Sequence, residues 1–106
     1  MKQEPHRLLW IRDKVCLEDT ILEVGCAENP VWAGTQFKVT TLDRSVRPDE
    51  QCFPDIVGEA ENLPFDANRF DVVALGELLE HVPEPQIVLR EAARVARKKV
   101  KILKYW

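Results

Sequence analysis

Thr20-Ile-Leu-Glu-Val-Gly-Cys-Ala-Glu-Asn-Pro30 is the stretch whose reading decides the fold. Ile21, Leu22 and Val24 form a short apolar run broken only by Glu23, the pattern of a parallel strand covered on both faces. Gly25 ends the run. A glycine there lets the chain turn with positive φ and lets a ligand approach the backbone, which a side chain would prevent. Asn29-Pro30 has the order of a helix start, with Asn as cap and Pro in the first turn.

Asp43 lies eighteen positions beyond Gly25 and closes Phe37-Lys-Val-Thr-Thr-Leu-Asp43, a second strand rich in β-branched residues. Nucleotide-binding α/β folds place an acid about 20 residues beyond the glycine turn, where one carboxylate accepts both hydroxyl protons of a ribose. The plainer alternative is an aspartate that caps a loop. The crossover from Cys26 to Phe37 holds about a dozen residues, enough to close a parallel unit with a stunted helix from Pro30 to Ala33.

Arg44 to Pro54, with Pro48 and no periodicity, reads as a loop, and Asp55-Ile-Val-Gly58 as a brief third strand. Glu59 to Asp66 is a polar turn closed by an apolar Leu63-Pro64-Phe65 plug, followed by a turn at Ala67-Asn68-Arg69. Phe70-Asp-Val-Val-Ala-Leu75 is the clearest buried strand. After Gly76 to Val82, the spacing predicts a helix from about Pro85 to Arg97, with Val88, Leu89, Ala92, Val95 and Ala96 toward the core. Arg90, Arg94 and Arg97 fall on the other side and read as a solvated face, with an acidic partner or RNA as the sharper alternative. Val100 to Trp106 is the fifth predicted strand, whose Ile102, Tyr105 and Trp106 leave a border open to a protein partner or a second copy of the chain. His6 to Leu17 has Leu8, Ile11 and Val15 at helical spacing, a packing helix in preference to a lid.

The expected fold is therefore α/β, a Rossmann-like doubly wound and mostly parallel five-stranded sheet of order 3-2-1-4-5. At 106 residues and 45% apolar content, one domain over residues 1–106 is the expectation, with the core running from residue 20. The net charge of −3 divides into +5 over Glu84 to Trp106 and −8 before it. No apolar run approaches the roughly 20 residues that span a bilayer, and the N-terminus lacks a secretion signal, so a cytoplasmic protein without membrane contact is expected. Cys16, Cys26 and Cys52 form no CxxC pair and His6 is far from His81, which argues against a disulfide framework or a metal site.

In this order and spacing the residues resemble the class I S-adenosylmethionine-dependent methyltransferases, especially the small-molecule branch with an LPF motif. Ile-Leu-Glu23-Val-Gly25-Cys is similar to that family's first motif, Asp43 to its ribose acid, and Glu59-Ala60-Glu61-Asn-Leu63-Pro64-Phe65 to its adenine-side loop. Phe70-Asp71-Val-Val, Glu80-His81-Val and Leu89-Arg-Glu-Ala-Ala-Arg-Val are similar to its fourth strand and following helix. The resemblance implies S-adenosylmethionine as cofactor and a small-molecule methyl acceptor, with nucleic acid not favoured. Its methionine end would rest over Glu23, Gly25, Cys26 and Ala27, its ribose on Asp43, and its adenine between Arg44 and the Glu59, Ala60, Glu61 and Leu63 loop. Gly76 would border the transferring methyl, and His81 would take a proton from the nucleophile, unless it merely caps a local element.

The departures are Ala27 and Asn29 in place of glycines, Arg97-Lys-Lys-Val in place of Pro-Gly-Gly, and a sequence that stops where relatives add two strands. The resemblance leaves an inactive cofactor-binding module as one alternative. A nicotinamide-dependent oxidoreductase is another, since an acid after the second strand serves both ligands.

Overall fold

The computed structural model describes residues 15–25, 36–50, 52–76 and 78–102. The expected leading helix from His6 lies outside the described residues except at Val15 to Leu17, which are not helical, and the expected crossover helix, Cys26, Ala27, Tyr105 and Trp106 lie outside them altogether. Among the described residues five strands, β1 (Thr20–Val24), β2 (Lys38–Asp43), β3 (Ile56–Val57), β4 (Phe70–Leu75) and β5 (Ala96–Ile102), accompany one α-helix, α1 (Pro85–Val95). All neighbours pair in parallel in the order β3-β2-β1-β4-β5, as the apolar runs predict.

The central strands explain that order. Ile21 to Val24 and Val72 to Leu75 are buried at every position, as strands covered on both faces must be. On one face Val88, Ala92 and Val95, a helical stripe along α1, pack on Leu22, Val24, Leu42, Val73 and Leu75. Each such side chain contributes about 1.5–3 kcal/mol when fully buried. On the other face Ile21, Val72 and Ala74 pack with Val15, Phe37 and Val39.

The same polar device sets the start of two strand pairs. Thr20 N–H donates to Asp71 Oδ2 at 3.0 Å while Asp71 N–H donates to Thr20 Oγ1 at 3.0 Å, joining β1 to β4. Thr41 and Asp55 make the corresponding exchange, both at 2.9 Å, ahead of β3. Each threonine and aspartate continues the ladder with side-chain groups where the backbone bonds begin.

Two expectations are corrected. The helix ends at Val95, and β5 begins at Ala96 instead of Val100, because Ala96 already pairs with Phe70. Arg97 and Lys98 are then drawn to acids beside the sheet: Arg97 Nε donates to Asp71 Oδ1 at 2.7 Å and Lys98 Nζ to Asp19 Oδ1 at 2.7 Å. Nor is Arg94 a solvated residue, since it is bonded to the loop after β3 as described below. The plug in that loop consists of buried Leu63 and half-buried Phe65, which meets Phe70 edge-on at 5.0 Å, with Pro64 exposed. β5 stands at one border of the described sheet.

Candidate functional site

The chain leaves β1 toward β2 and β4 toward β5, in opposite directions, so the sheet's switch point lies between the carboxyl ends of β1 and β4. Two glycines bound it. Gly25 has φ +81°, the left-handed region that other residues enter only at a cost, and its N–H donates to Leu42 O at 2.9 Å. Gly76 N–H donates to Val24 O at 3.0 Å, and a Cβ on Gly76 would lie 2.5 Å from Gly25 O. The two strand ends therefore approach as closely as bare backbone allows. Leu78 packs over one side of Gly25, 3.4 Å from where its Cβ would stand.

Asp43 ends β2 one residue past Leu42, which is opposite Val24. Strand alternation puts it on the sheet face of Thr41 and hence of Glu23, whose register partners are Thr41 and Ala74. Both carboxylates are buried. Asp43 accepts from the Arg44 amide at 2.7 Å, from Arg47 Nη1 at 2.8 Å and Nη2 at 3.1 Å, and from Cys52 Sγ at 3.5 Å. Burial pushes its pKa up, but the Arg47 fork, the Arg44 amide and the Cys52 thiol together hold it below the usual aspartate value. It therefore stays an anion, the form that accepts hydroxyl protons.

The loop after β3 carries the residues expected on the adenine side. Glu59 is exposed and bridges to Asn62, Glu61 is half-buried, and Ala60 and Leu63 point into the core under α1. Leu63 also gives up its backbone: its N–H donates to Glu91 Oε1 at 2.8 Å and its carbonyl accepts from Arg94 Nη2 at 3.1 Å. Arg94 Nη1 reaches Phe65 O at 2.8 Å, and its Nε bonds Glu91 Oε2 at 2.6 Å. Hydrogen bonding from Arg94 lowers the pKa of Glu91, outweighing burial, with the Leu63 amide adding to it. This Glu91–Arg94 clamp fixes the loop to the helix, and Leu63 is spent on that anchorage. The sequence reading passed over it, although Glu-x-x-Arg at i, i+3 on a helix was the available signal.

His81 ends a 3-10 turn, Leu79–His81, that follows the switch point. Its side chain is 71% exposed and stands 3.6 Å from Glu80 Oε1. The Arg44 side chain is exposed and only its amide meets Asp43. The described residues thus gather Glu23, Gly25, Asp43 and Gly76 at one edge, with Glu59 to Leu63 beyond β3.

A buried anionic carboxylate beside a glycine-bounded switch point has the chemistry to accept the ribose hydroxyls of a nucleoside cofactor. The comparisons with known proteins identify the family. Residues 22–103 match the methyltransferase domain family. The ubiquinone biosynthesis O-methyltransferase of Coxiella burnetii is 27% identical over 107 residues, covering 88% of this chain and 46% of that protein. Its namesake in Pseudomonas paraeruginosa is 31% identical over 111 residues, covering 88% and 47%. Among solved structures, a SAM-dependent methyltransferase from Thermotoga maritima superposes with a TM-score of 0.67 at 23% identity, over 91% of this chain and 49% of that one. The cyclase SpnF gives 0.67 at 20% identity, over 84% and 39%. At such identities the structural likeness speaks for the fold. The chain spans about half the length of the curated relatives it matches. With its sheet order, its switch-point glycines and the family match over residues 22–103, the chain belongs to the class I S-adenosylmethionine-dependent methyltransferases.

Proposed function

We propose that this chain binds S-adenosylmethionine in the crevice beyond Gly25 and Gly76 and serves transfer of its methyl group to a small-molecule nucleophile. The observation that carries the reading is Asp43, a buried anion at the end of β2 beside that crevice. Asp43 accepts the ribose hydroxyls. Glu23, Gly25, Cys26 and Ala27 hold the methionine end, and Arg44, Glu59, Glu61 and the backbone of Ala60 line the adenine, with Leu63 anchoring their loop. The relatives named as O-methyltransferases of ubiquinone biosynthesis support a small acceptor with a hydroxyl nucleophile.

The cofactor supplies an electrophilic methyl on a sulfonium, open to in-line displacement. The protein's part is alignment and exclusion of water, which can supply most of the acceleration for a reaction needing little acid–base chemistry. Gly76, having no side chain, lets the ends of β4 and β1 close up beneath the reacting carbon. His81, on the turn that follows, takes the proton released by a hydroxyl or amine nucleophile. Calorimetric titration with S-adenosylmethionine, followed by labelled-methyl transfer to phenols and small-molecule extracts, tests the reading. Micromolar binding with turnover supports it, binding without turnover favours a cofactor-binding module, and no binding refutes it.

A further inference from the structure

The carboxylate on which the ribose contact depends is already taken by the protein. Arg47 donates to both oxygens, Nη1 to Oδ1 at 2.8 Å and Nη2 to Oδ2 at 3.1 Å, the two-pronged match of guanidinium and carboxylate planes. The Arg44 amide takes a further position on Oδ1, and Cys52 Sγ one on Oδ2. A carboxylate offers about four lone-pair positions, so these donors fill it. A vicinal diol needs one position on each oxygen. Arg44 donates from the chain itself and Cys52 is fully buried, so of these donors the Arg47 pair is the one a side-chain rotation can vacate.

Arg47 is also set in place by the fold. Its N–H donates to Cys52 O at 2.9 Å and its carbonyl accepts from Cys52 N–H at 3.0 Å, an antiparallel bridge that aims the side chain back at β2. Ser45 Oγ accepts a second bond from Nη1 at 3.1 Å. Yet the side chain remains 25% exposed against 8% for Asp43, so the guanidinium has a way out to water that the carboxylate lacks.

Resting on the cofactor reading above, we infer that Arg47 gates the ribose site: its guanidinium and the ribose diol compete for the same side of Asp43, and the arginine must swing outward for the nucleoside to bind. The exchange is inexpensive for the buried anion, which passes from one pair of donors to another and is never left bare. For the ligand it acts as a tax. If about nine molecules in ten hold the Arg47–Asp43 pair closed, the competent fraction is about 0.1 and apparent affinity falls tenfold.

Titration of the chain and of its Arg47→Met and Arg47→Lys variants with S-adenosylhomocysteine and its 2′-deoxy analogue tests the gate. The sulfur of this ligand is uncharged, so removing a cation does not of itself favour it. Arg47→Met is expected to bind S-adenosylhomocysteine about tenfold more tightly. Arg47→Lys, which keeps the charge but loses the fork, should bind it more tightly by a smaller factor, and the deoxy analogue should gain less in both. Unchanged or weaker S-adenosylhomocysteine affinity in the folded variants, or equal gains for the two ligands, overturns the gate while leaving the cofactor reading intact. If neither the parent chain nor any variant binds either ligand, the cofactor reading fails and the gate with it.

Discussion

Adding one methyl group at Gly76 is expected to part the two strands that frame the crevice. The Cβ of Gly76→Ala would stand 2.5 Å from Gly25 O and 3.5 Å from Val24 O. Carbon and carbonyl oxygen ordinarily meet at about 3.3–3.6 Å, so the backbones must separate by roughly 1 Å. Neither neighbour is the end of a flexible side chain. Overpacking of this kind costs about 1–3 kcal/mol. Stretching the Gly76 N–H bond to Val24 O, now 3.0 Å, removes about another 1 kcal/mol. The total is about 2–4 kcal/mol, or a fall in Tm of roughly 10–25 °C for a chain of this size. Urea titration followed by far-UV circular dichroism measures it directly. Gly58→Ala is the control, because its Cβ would meet side chains alone, the Leu42 Cδ1 methyl at 3.3 Å and the Pro64 ring at an ordinary 3.6 Å, and a side-chain adjustment of that kind costs about 1 kcal/mol. If the two variants lose the same stability, the close approach of β1 and β4 does not govern this edge.

Gly25→Ala should cost about 1–2 kcal/mol through its left-handed φ alone, read by the same urea titration. Glu91→Ala leaves the Leu63 amide without its carboxylate acceptor, so hydrogen exchange at Leu63 should accelerate well ahead of β4, and S-adenosylmethionine binding should weaken; unchanged exchange would show that the clamp does not hold the loop. The pH dependence has a definite sign. Asp19 is held low by Lys98, Asp71 by the Thr20 amide and Arg97, and Glu91 by Arg94, so each favours the fold above its ordinary pKa of 3.8, 3.8 and 4.5 respectively. Stability should be steady near neutrality and fall as the pH drops below about 4.5, and Lys98→Met should flatten the Asp19 share of that fall. A profile unchanged by Lys98→Met would remove Asp19 from the account.

The sheet order was legible because it is written locally. Ile21 to Val24 and Phe70 to Leu75 are apolar runs closed by glycines, and parallel pairing of successive strands leaves few arrangements. Asp43 and Gly76 were legible for the same reason, since each is the residue at or just past a strand end. The start of β5 was not. Its Arg97 and Lys98 read as helix-end and linker cations until Asp71 and Asp19, distant in sequence, are brought beside them. The Glu91–Arg94 clamp was hidden likewise, because its loop partners Leu63 and Phe65 lie across the fold from a face that periodicity assigns to solvent. Arg47 carried a signal in its i, i+4 spacing from Asp43, but outside a helix that spacing means contact only when a bridge such as Arg47 to Cys52 folds the loop back. No helix among the described residues is long and apolar enough to cross a membrane.

The contact between Asp43 and a ribose is the point on which the functional account turns, and a ligand-and-protein cycle measures it most directly. S-adenosylhomocysteine and its 2′-deoxy analogue are titrated calorimetrically into the chain and into Asp43→Asn. Deleting the hydroxyl should weaken binding about tenfold in the parent chain, equivalent to about 1.4 kcal/mol, and by less than about threefold once the carboxylate is gone. An equal loss in both proteins would mean that Asp43 does not hold the sugar.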